Sequence, residues 1–109
     1  MKKIFIDFDD VLNTYNGWKG NEELFKPLAD TKEFFKKLSK TYEIYIFTTR
    51  EKGNVCKWLI RYHLEVYITG VTNIKEPAYV YIDDRAIKFE GDYKKILEEI
   101  EDFKPHWKY

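Results

Sequence analysis

Three carboxylates crowd into four positions at Asp7-Phe8-Asp9-Asp10, directly after the apolar run Ile4-Phe5-Ile6. Asp7 and Asp9 are two apart, so an extended chain projects them to one side and turns Phe8 and Asp10 to the other. Carboxylates that close repel each other and resist desolvation unless a cation sits between them or one is protonated. A metal-assisted active site is one reading of the cluster; a helix N-cap without chemistry is the other. Three more polar clusters follow apolar runs or lie on the loop between them: Thr48-Thr49-Arg50, Lys75 and Asp83-Asp84. Carboxylate oxygens gathered without His or Cys suit a hard cation, and Mg²⁺ is the usual one beside a phosphate. A lysine ammonium and a hydroxyl are donors matched to phosphoryl oxygens. A carboxylate can attack phosphorus and split a difficult displacement into two steps, and a second can serve as acid and then base.

The elements that must position these groups are legible as alternating strand and helix patterns. Ile4-Phe5-Ile6 lacks polar alternation and reads as a strand buried on both faces, as in parallel sheets. Asn13 to Phe25 is turn-rich and reads as a loop over the acidic cluster. Asp30-Thr31-Lys32-Glu33 has capping-box spacing for a helix with Phe34, Phe35 and Leu38 on its apolar face, ending near Lys40. Glu43–Phe47 reads as the second strand, running into Thr48. A helix from about Gly53 to His63 carries the stripe Val55, Trp58, Leu59 and Tyr62. A third strand is expected within Glu65–Val71, a fourth at Tyr79–Ile82 and an edge strand at Ile87–Phe89. Gly91-Asp92 marks a turn and N-cap for a last helix, about Tyr93 to Phe103, with Tyr93, Ile96, Leu97, Ile100 and Phe103 on one face. The order predicts a single α/β domain over residues 1–109 with a mostly parallel sheet. Right-handed crossovers bring the C-terminal strand ends to one edge, where open α/β sheets bind ligands.

Composition narrows the classes. Apolar residues are 44% of the chain and charged ones 35%, as in soluble globular proteins. Nineteen basic residues balance nineteen acidic ones, so no global field favours nucleic acid or an anionic membrane. The single cysteine, Cys56, gives no internal disulfide and suits a reducing compartment. With no membrane-length apolar run and no signal-peptide core, a cytoplasmic protein is the expectation.

Hydrophobic strand then Asp7-x-Asp9-x-Val11, strand then Thr48, Lys75, and strand then Asp83-Asp84 together resemble the signatures of the haloacid dehalogenase superfamily, in that family's order. The resemblance spans residues 4 to 85 and is to small, capless members. It implies a Rossmann-like three-layer sandwich without a cap domain, a Mg²⁺ cofactor and phosphomonoester hydrolysis through an aspartyl-phosphate. Position by position, Asp7 would be the nucleophile and Asp9 the general acid/base. Thr48 would hold the phosphoryl group and Lys75 would stabilise its charge. Asp7, Asp9 and Asp83 or Asp84 would hold the metal. Many members carry Gly-Thr after the acid pair, where this chain has Asp10-Val11. The Ile82-Asp83-Asp84-Arg85 ending is similar to the phosphatase domain of polynucleotide kinase-phosphatases.

Thr49 and Arg50 are further candidates for substrate contact, and Arg50 and Arg85 serve equally as partners for nearby acids. Glu76 is placed to pair with Lys75. Cys56 and His63 read as structural. The His106-Trp107 tail reads as docking on the body, with stacking on a nucleobase as the other reading. Neither cap location is long enough to fold, so an open site is expected, shielded by the 13–25 loop or by another subunit of a homo-oligomer. Such a site admits a nucleotide, a nucleic-acid end or a small phosphate ester. The competing functions are a catalytically silent binding module of the same fold and a receiver-like phospho-switch. A receiver needs its phospho-accepting Asp at the end of a middle strand, where this chain has Thr48 or the neighbourhood of Gly70.

Overall fold

A computed structural model describes residues 1–8, 11 and 26–104. The elements in order are β1 (Lys2–Asp7), α1 (Thr31–Leu38), β2 (Tyr42–Phe47), α2 (Lys52–Arg61), a 3-10 turn (Glu65–Tyr67), β3 (Gly70–Thr72), β4 (Val80–Ile82) and α3 (Tyr93–Asp102). The strands form one four-stranded sheet in the order β3-β2-β1-β4, and every pairing is parallel. The chain is an α/β domain with a parallel sheet, as its strand and helix patterns predict, and is of the Rossmann-like sandwich type that the resemblance implies.

β1 is central and buried on both faces, with Ile4, Phe5 and Ile6 at most 3% exposed. Its even-numbered side chains Ile4, Ile6 and Phe8 join Ile44, Ile46 and Val71 under α1 and α2, which contribute Phe35, Val55, Trp58 and Leu59. Phe8 meets the Trp58 ring edge-on, with centroids 4.8 Å apart. The odd-numbered side chains point to the opposite face, where Phe5 stacks on Tyr45 and meets Tyr81 edge-on.

That second face is crossed by the connection from β3 to β4. In this sheet order the connection must pass β2 and β1, yet residues 73–79 contain no helix. Parallel crossovers ordinarily take a dozen or more residues. Here both joined strands are only three residues long, so an extended strap suffices. It is held by the Tyr79 N–H donating to the Lys3 carbonyl (2.9 Å), by a Lys3–Glu76 ion pair (3.5 Å) and by the Tyr81 hydroxyl donating to the Glu76 carbonyl. Tyr42 and Tyr79 stack at its far end.

Several local expectations are corrected. The capping box at Asp30 does not form: Asp30 sits at φ 66° and its side chain makes no cap hydrogen bond. Instead the buried Thr31 hydroxyl donates to the Leu28 carbonyl (2.8 Å), fixing the entry to α1. Phe34 is 41% exposed while Phe35 is fully buried, so one ring anchors α1 and the other tilts against it at the surface. Residues 65–67 form a 3-10 turn rather than strand, and β3 begins only at Gly70 and runs to Thr72. Gly70 pairs with Tyr45, and a Cβ there would lie 3.1 Å from the Tyr45 ring. Residues 87–89 are not a strand. The N-cap of α3 forms as expected, with Asp92 Oδ1 accepting from the backbone N–H of Lys94 and Lys95. The 13–25 loop and the His106-Trp107 tail lie outside the described residues.

The end of α2 explains His63 structurally. His63 adopts φ 59°, its N–H donates to the Ile60 carbonyl (3.1 Å) and the Leu64 N–H to the Leu59 carbonyl (2.8 Å). This is a Schellman motif with Leu64 buried beneath it, and the left-handed position is one glycine prefers. His63→Gly is therefore expected to stabilise the protein by up to about 1 kcal/mol, read as a raised denaturation midpoint. Phe35→Ala should cost about 3–5 kcal/mol and Phe34→Ala under about 1 kcal/mol in the same titration. Equal costs would contradict the orientation of α1.

Candidate active site

Register assembles the site. Ile6 pairs with Ile82 and Asp7 with Phe47, so the residues following these strands leave the sheet at one level. Ile6 and Phe8, both fully buried, point into the core under the helices. Asp7 between them is thereby turned to the strap face. Asp83 follows the partner of Ile6 and comes to lie beside Asp7.

Asp7, Asp83 and Asp84, all partly buried, each offer a carboxylate oxygen, and these atoms lie within 4.8 Å of one another. Two unit charges at that separation repel by about 3 kcal/mol at an effective dielectric near 20, before screening by water. Part of that charge is met by Lys75, whose Nζ donates to Asp83 Oδ2 (3.3 Å). The Arg85 backbone N–H donates to Asp83 Oδ1 (2.8 Å), which fixes the carboxylate plane. Each Asp83 oxygen keeps a second lone pair directed elsewhere. Three carboxylates, with no described His or Cys among them, form a donor set that fits a hard divalent cation. The charge repulsion gives such an ion a reason to bind.

Lys75 reaches the rim from the strap. Its ammonium lies 4.9 Å from the Phe47 ring centroid and 5.7 Å from that of Tyr81. These rings, with Phe5, Asp7 and Asp83, line one crevice. Phe47 and Tyr81 are the positioning residues that sequence reasoning missed. The available signal was their parity: both lie on the face opposite the helices, Phe47 at the end of β2 and Tyr81 one residue before the end of β4. The expected Lys75–Glu76 pairing does not form, because neighbouring strap residues point apart: Glu76 pairs with Lys3 and Lys75 with Asp83.

The two hydroxyls at the end of β2 differ in burial. Thr48 is 3% exposed and Thr49 is exposed. The Thr48 N–H donates to the Thr72 carbonyl (3.0 Å), continuing the ladder one residue past β2. Its Oγ1 accepts from the Arg50 N–H (3.0 Å), so its own O–H proton is the part that can donate to a ligand. Arg50 is itself 3% exposed. Thus Asp7, Asp83, Asp84 and Lys75 are brought together, and Thr48 follows directly on the strand next to β1. Asp9 lies outside the described residues.

No family model matches the chain, and no curated protein matches it. A solved structure of a protein from Bacteroides thetaiotaomicron, described as a conserved protein, is similar in fold. It has a TM-score of 0.61 and 17% identity, covering 94% of this chain and 92% of that one. At that identity the likeness concerns fold alone, and it extends over nearly the whole of both chains.

Lys75 and a divalent cation would compete for Asp83. Lys75→Met should therefore lower the thermal midpoint measured in chelator by no more than about 1 kcal/mol of stability, as for a half-exposed pair. It should also enlarge the stabilisation produced by added Mg²⁺ over that of the wild type. Asp83→Asn should reduce that Mg²⁺ response. Identical responses in all three proteins would remove the cation site.

Proposed function

We propose that the protein is a Mg²⁺-dependent phosphomonoester hydrolase that works through an aspartyl-phosphate on Asp7. The observation that carries the reading is the meeting of the Asp7, Asp83 and Asp84 oxygens within 4.8 Å, with the Lys75 ammonium on Asp83, at the C-terminal edge of a parallel sheet. The resemblance of the four strand-end signatures to the haloacid dehalogenase superfamily supports the same reading independently of the geometry.

In this mechanism an Asp7 oxygen attacks phosphorus, and the bond from phosphorus to the ester oxygen breaks. The leaving oxygen takes a proton from Asp9, the role the resemblance assigns to that residue. Water then attacks the phosphorus of the aspartyl-phosphate, giving its proton to the Asp9 carboxylate, and phosphate leaves with Asp7 restored. General acid–base help of this kind is worth about 10²–10⁴ in rate. Asp7, Asp83 and Asp84 would hold Mg²⁺, which when bound supplies the positive charge that lets an anionic nucleophile approach an anionic phosphate. Lys75 offers a second positive charge on the Asp83 side, and the Thr48 hydroxyl a neutral donor. Hydrogen bonds from the lysine and the hydroxyl to the equatorial oxygens stabilise charge where it develops in the transition state.

The receiver-like alternative needs its phospho-accepting Asp on a strand apart from the acids that follow β1 and β4; β2 runs into Thr48 and β3 ends at Thr72, so neither presents one. A silent binding module would share the geometry and differ in turnover.

The test is hydrolysis of an aryl phosphate with and without Mg²⁺. Wild type is expected to turn over with Mg²⁺, and Asp7→Asn to lose activity by at least about 10³-fold, as for removal of a nucleophile. A rapid acid quench should trap hydroxylamine-labile phosphate on wild type. Thr48→Val should lower kcat/KM by about 10–100-fold and Thr49→Val should change it little. Full activity in Asp7→Asn would overturn the nucleophile, and no turnover by wild type with a range of phosphate esters would favour the binding module.

A further inference from the structure

α3 is charged against its own dipole. It has no acidic residue in its first turn and no basic residue in its last. Lys94 and Lys95 stand instead at the positive end, and Glu98, Glu99, Glu101 and Asp102 fill the negative half. The Asp92 cap and the Lys95–Glu90 ion pair (3.1 Å) offset part of this within the chain. Lys94 and Glu101 form no ion pair among the described residues.

The same helix exposes a stripe of large apolar side chains. Tyr93 is 78% exposed, Leu97 67% and Ile100 57%. Their spacing of four and then three is that of a helix–helix seam. Lys94 and Glu101 are seven apart and so share one flank of this seam. The other side of α3 faces its own chain, where Lys95, Glu99 and Phe103 form a crevice with residues 86–88.

We propose that α3 pairs antiparallel with the α3 of a second copy of this chain, about a two-fold axis passing beside Leu97. The assignment follows from one register. When Leu97 lies against the partner's Leu97, Tyr93 comes level with the partner's Ile100, and Ile100 with the partner's Tyr93. In antiparallel pairs equivalent flanks face each other, so Lys94 meets the partner's Glu101 and Glu101 the partner's Lys94. The apolar stripe and the unpaired charges are satisfied by the same operation. A parallel pair would instead lay the two acidic halves side by side. A membrane surface is a poor occupant, because helices that lie on membranes carry Lys and Arg on their polar face, whereas α3 has two lysines against four acids. The opposed helix dipoles of the antiparallel pair also face unlike ends.

The apolar area covered, with Phe89 (53% exposed) at the seam's margin, is roughly 500 Å² per copy, at the low end for a specific interface. Self-association is therefore expected in the micromolar range, strengthened at low salt.

Sedimentation velocity and light scattering over a concentration series from the micromolar range upward test the proposal on the full chain. The mass should rise from 13.3 kDa toward twice that value. Leu97→Glu places two like charges at the axis and should keep the protein at 13.3 kDa throughout. Lys94→Glu and Glu101→Lys should each weaken association by about tenfold, since each turns two attractive pairs into repulsive ones. The double variant, carrying both substitutions, should return to within about threefold of wild type, because the pairs are restored with signs exchanged. All three positions are exposed, and circular dichroism should match wild type. A single 13.3 kDa species at every concentration, a dimer that survives Leu97→Glu, or a double variant no better than the single ones would each overturn the antiparallel pairing.

Discussion

The parallel register of β1 with its two neighbours is the constraint on which the rest of the structure depends. Ile6 opposite Ile82 and Asp7 opposite Phe47 decide at once which side chains enter the core and which carboxylates meet. Side chains alternate with period two, so a slip of one residue would send Phe5 and Asp7 under the helices and Ile6 toward the strap. Burying Asp7 unpaired among Phe35, Trp58 and Leu59 would be far more costly than any packing it replaced. The acidic residue is thus part of what fixes the register that positions it. Phe8, driven fully under Trp58, is the counterpart on the other side of the same alternation.

The two faces of the sheet are covered by unlike means. One receives α1 and α2 and holds nearly all the aliphatic core. The other is built from aromatic rings, with Phe5 between Tyr45 and Tyr81 and in contact with both, and lysine ammonium groups over Tyr45, Phe47 and Tyr81. Large flat rings fill space under a thin strap where aliphatic side chains would leave gaps, and their faces tolerate a cation. The high aromatic content of a short chain has a structural use here. It lets a crossover without a helix close one side of the sheet.

Strand runs, the α2 stripe and the α3 cap were legible because each depends on local periodicity or a single turn, and the predicted α/β class followed from their order. The convergence of Asp7, Asp83 and Asp84 was legible too, since it needs only strand ends and parallel topology. Other features depend on tertiary partners that no local pattern encodes. Asp30 and Glu33 have the spacing of a capping box, but the buried Thr31 hydroxyl takes the Leu28 carbonyl and the chain enters the helix with Asp30 left-handed. Ile87–Phe89 reads as strand by composition, yet among the described residues no strand pairs with β4 on that edge. Lys75 and Glu76 are neighbours in sequence and could have paired, but the extended strap sends alternate side chains in opposite directions, one to Asp83 and one to Lys3.

That division of the strap ties the candidate site to the fold's stability. Glu76 is gripped from both sides, by the Lys3 side chain and by the Tyr81 hydroxyl on its carbonyl. The Tyr79 N–H, held by Lys3, closes the same short segment onto β1. Lys75 therefore enters the site from a backbone anchored at two points on the strands that carry Asp7 and Asp83. A lysine on a free loop would need to give up the full freedom of its stem and its backbone to meet a phosphate. Here the backbone part is already ordered by contacts that lie outside the site, and the Phe47 and Tyr81 rings restrict the stem. The ammonium rests on Asp83, one of the carboxylates it would leave. Entry of a cation at the acids and an anion beside them would favour the same displacement of Lys75, and the two ligands would then bind with positive coupling through this one side chain.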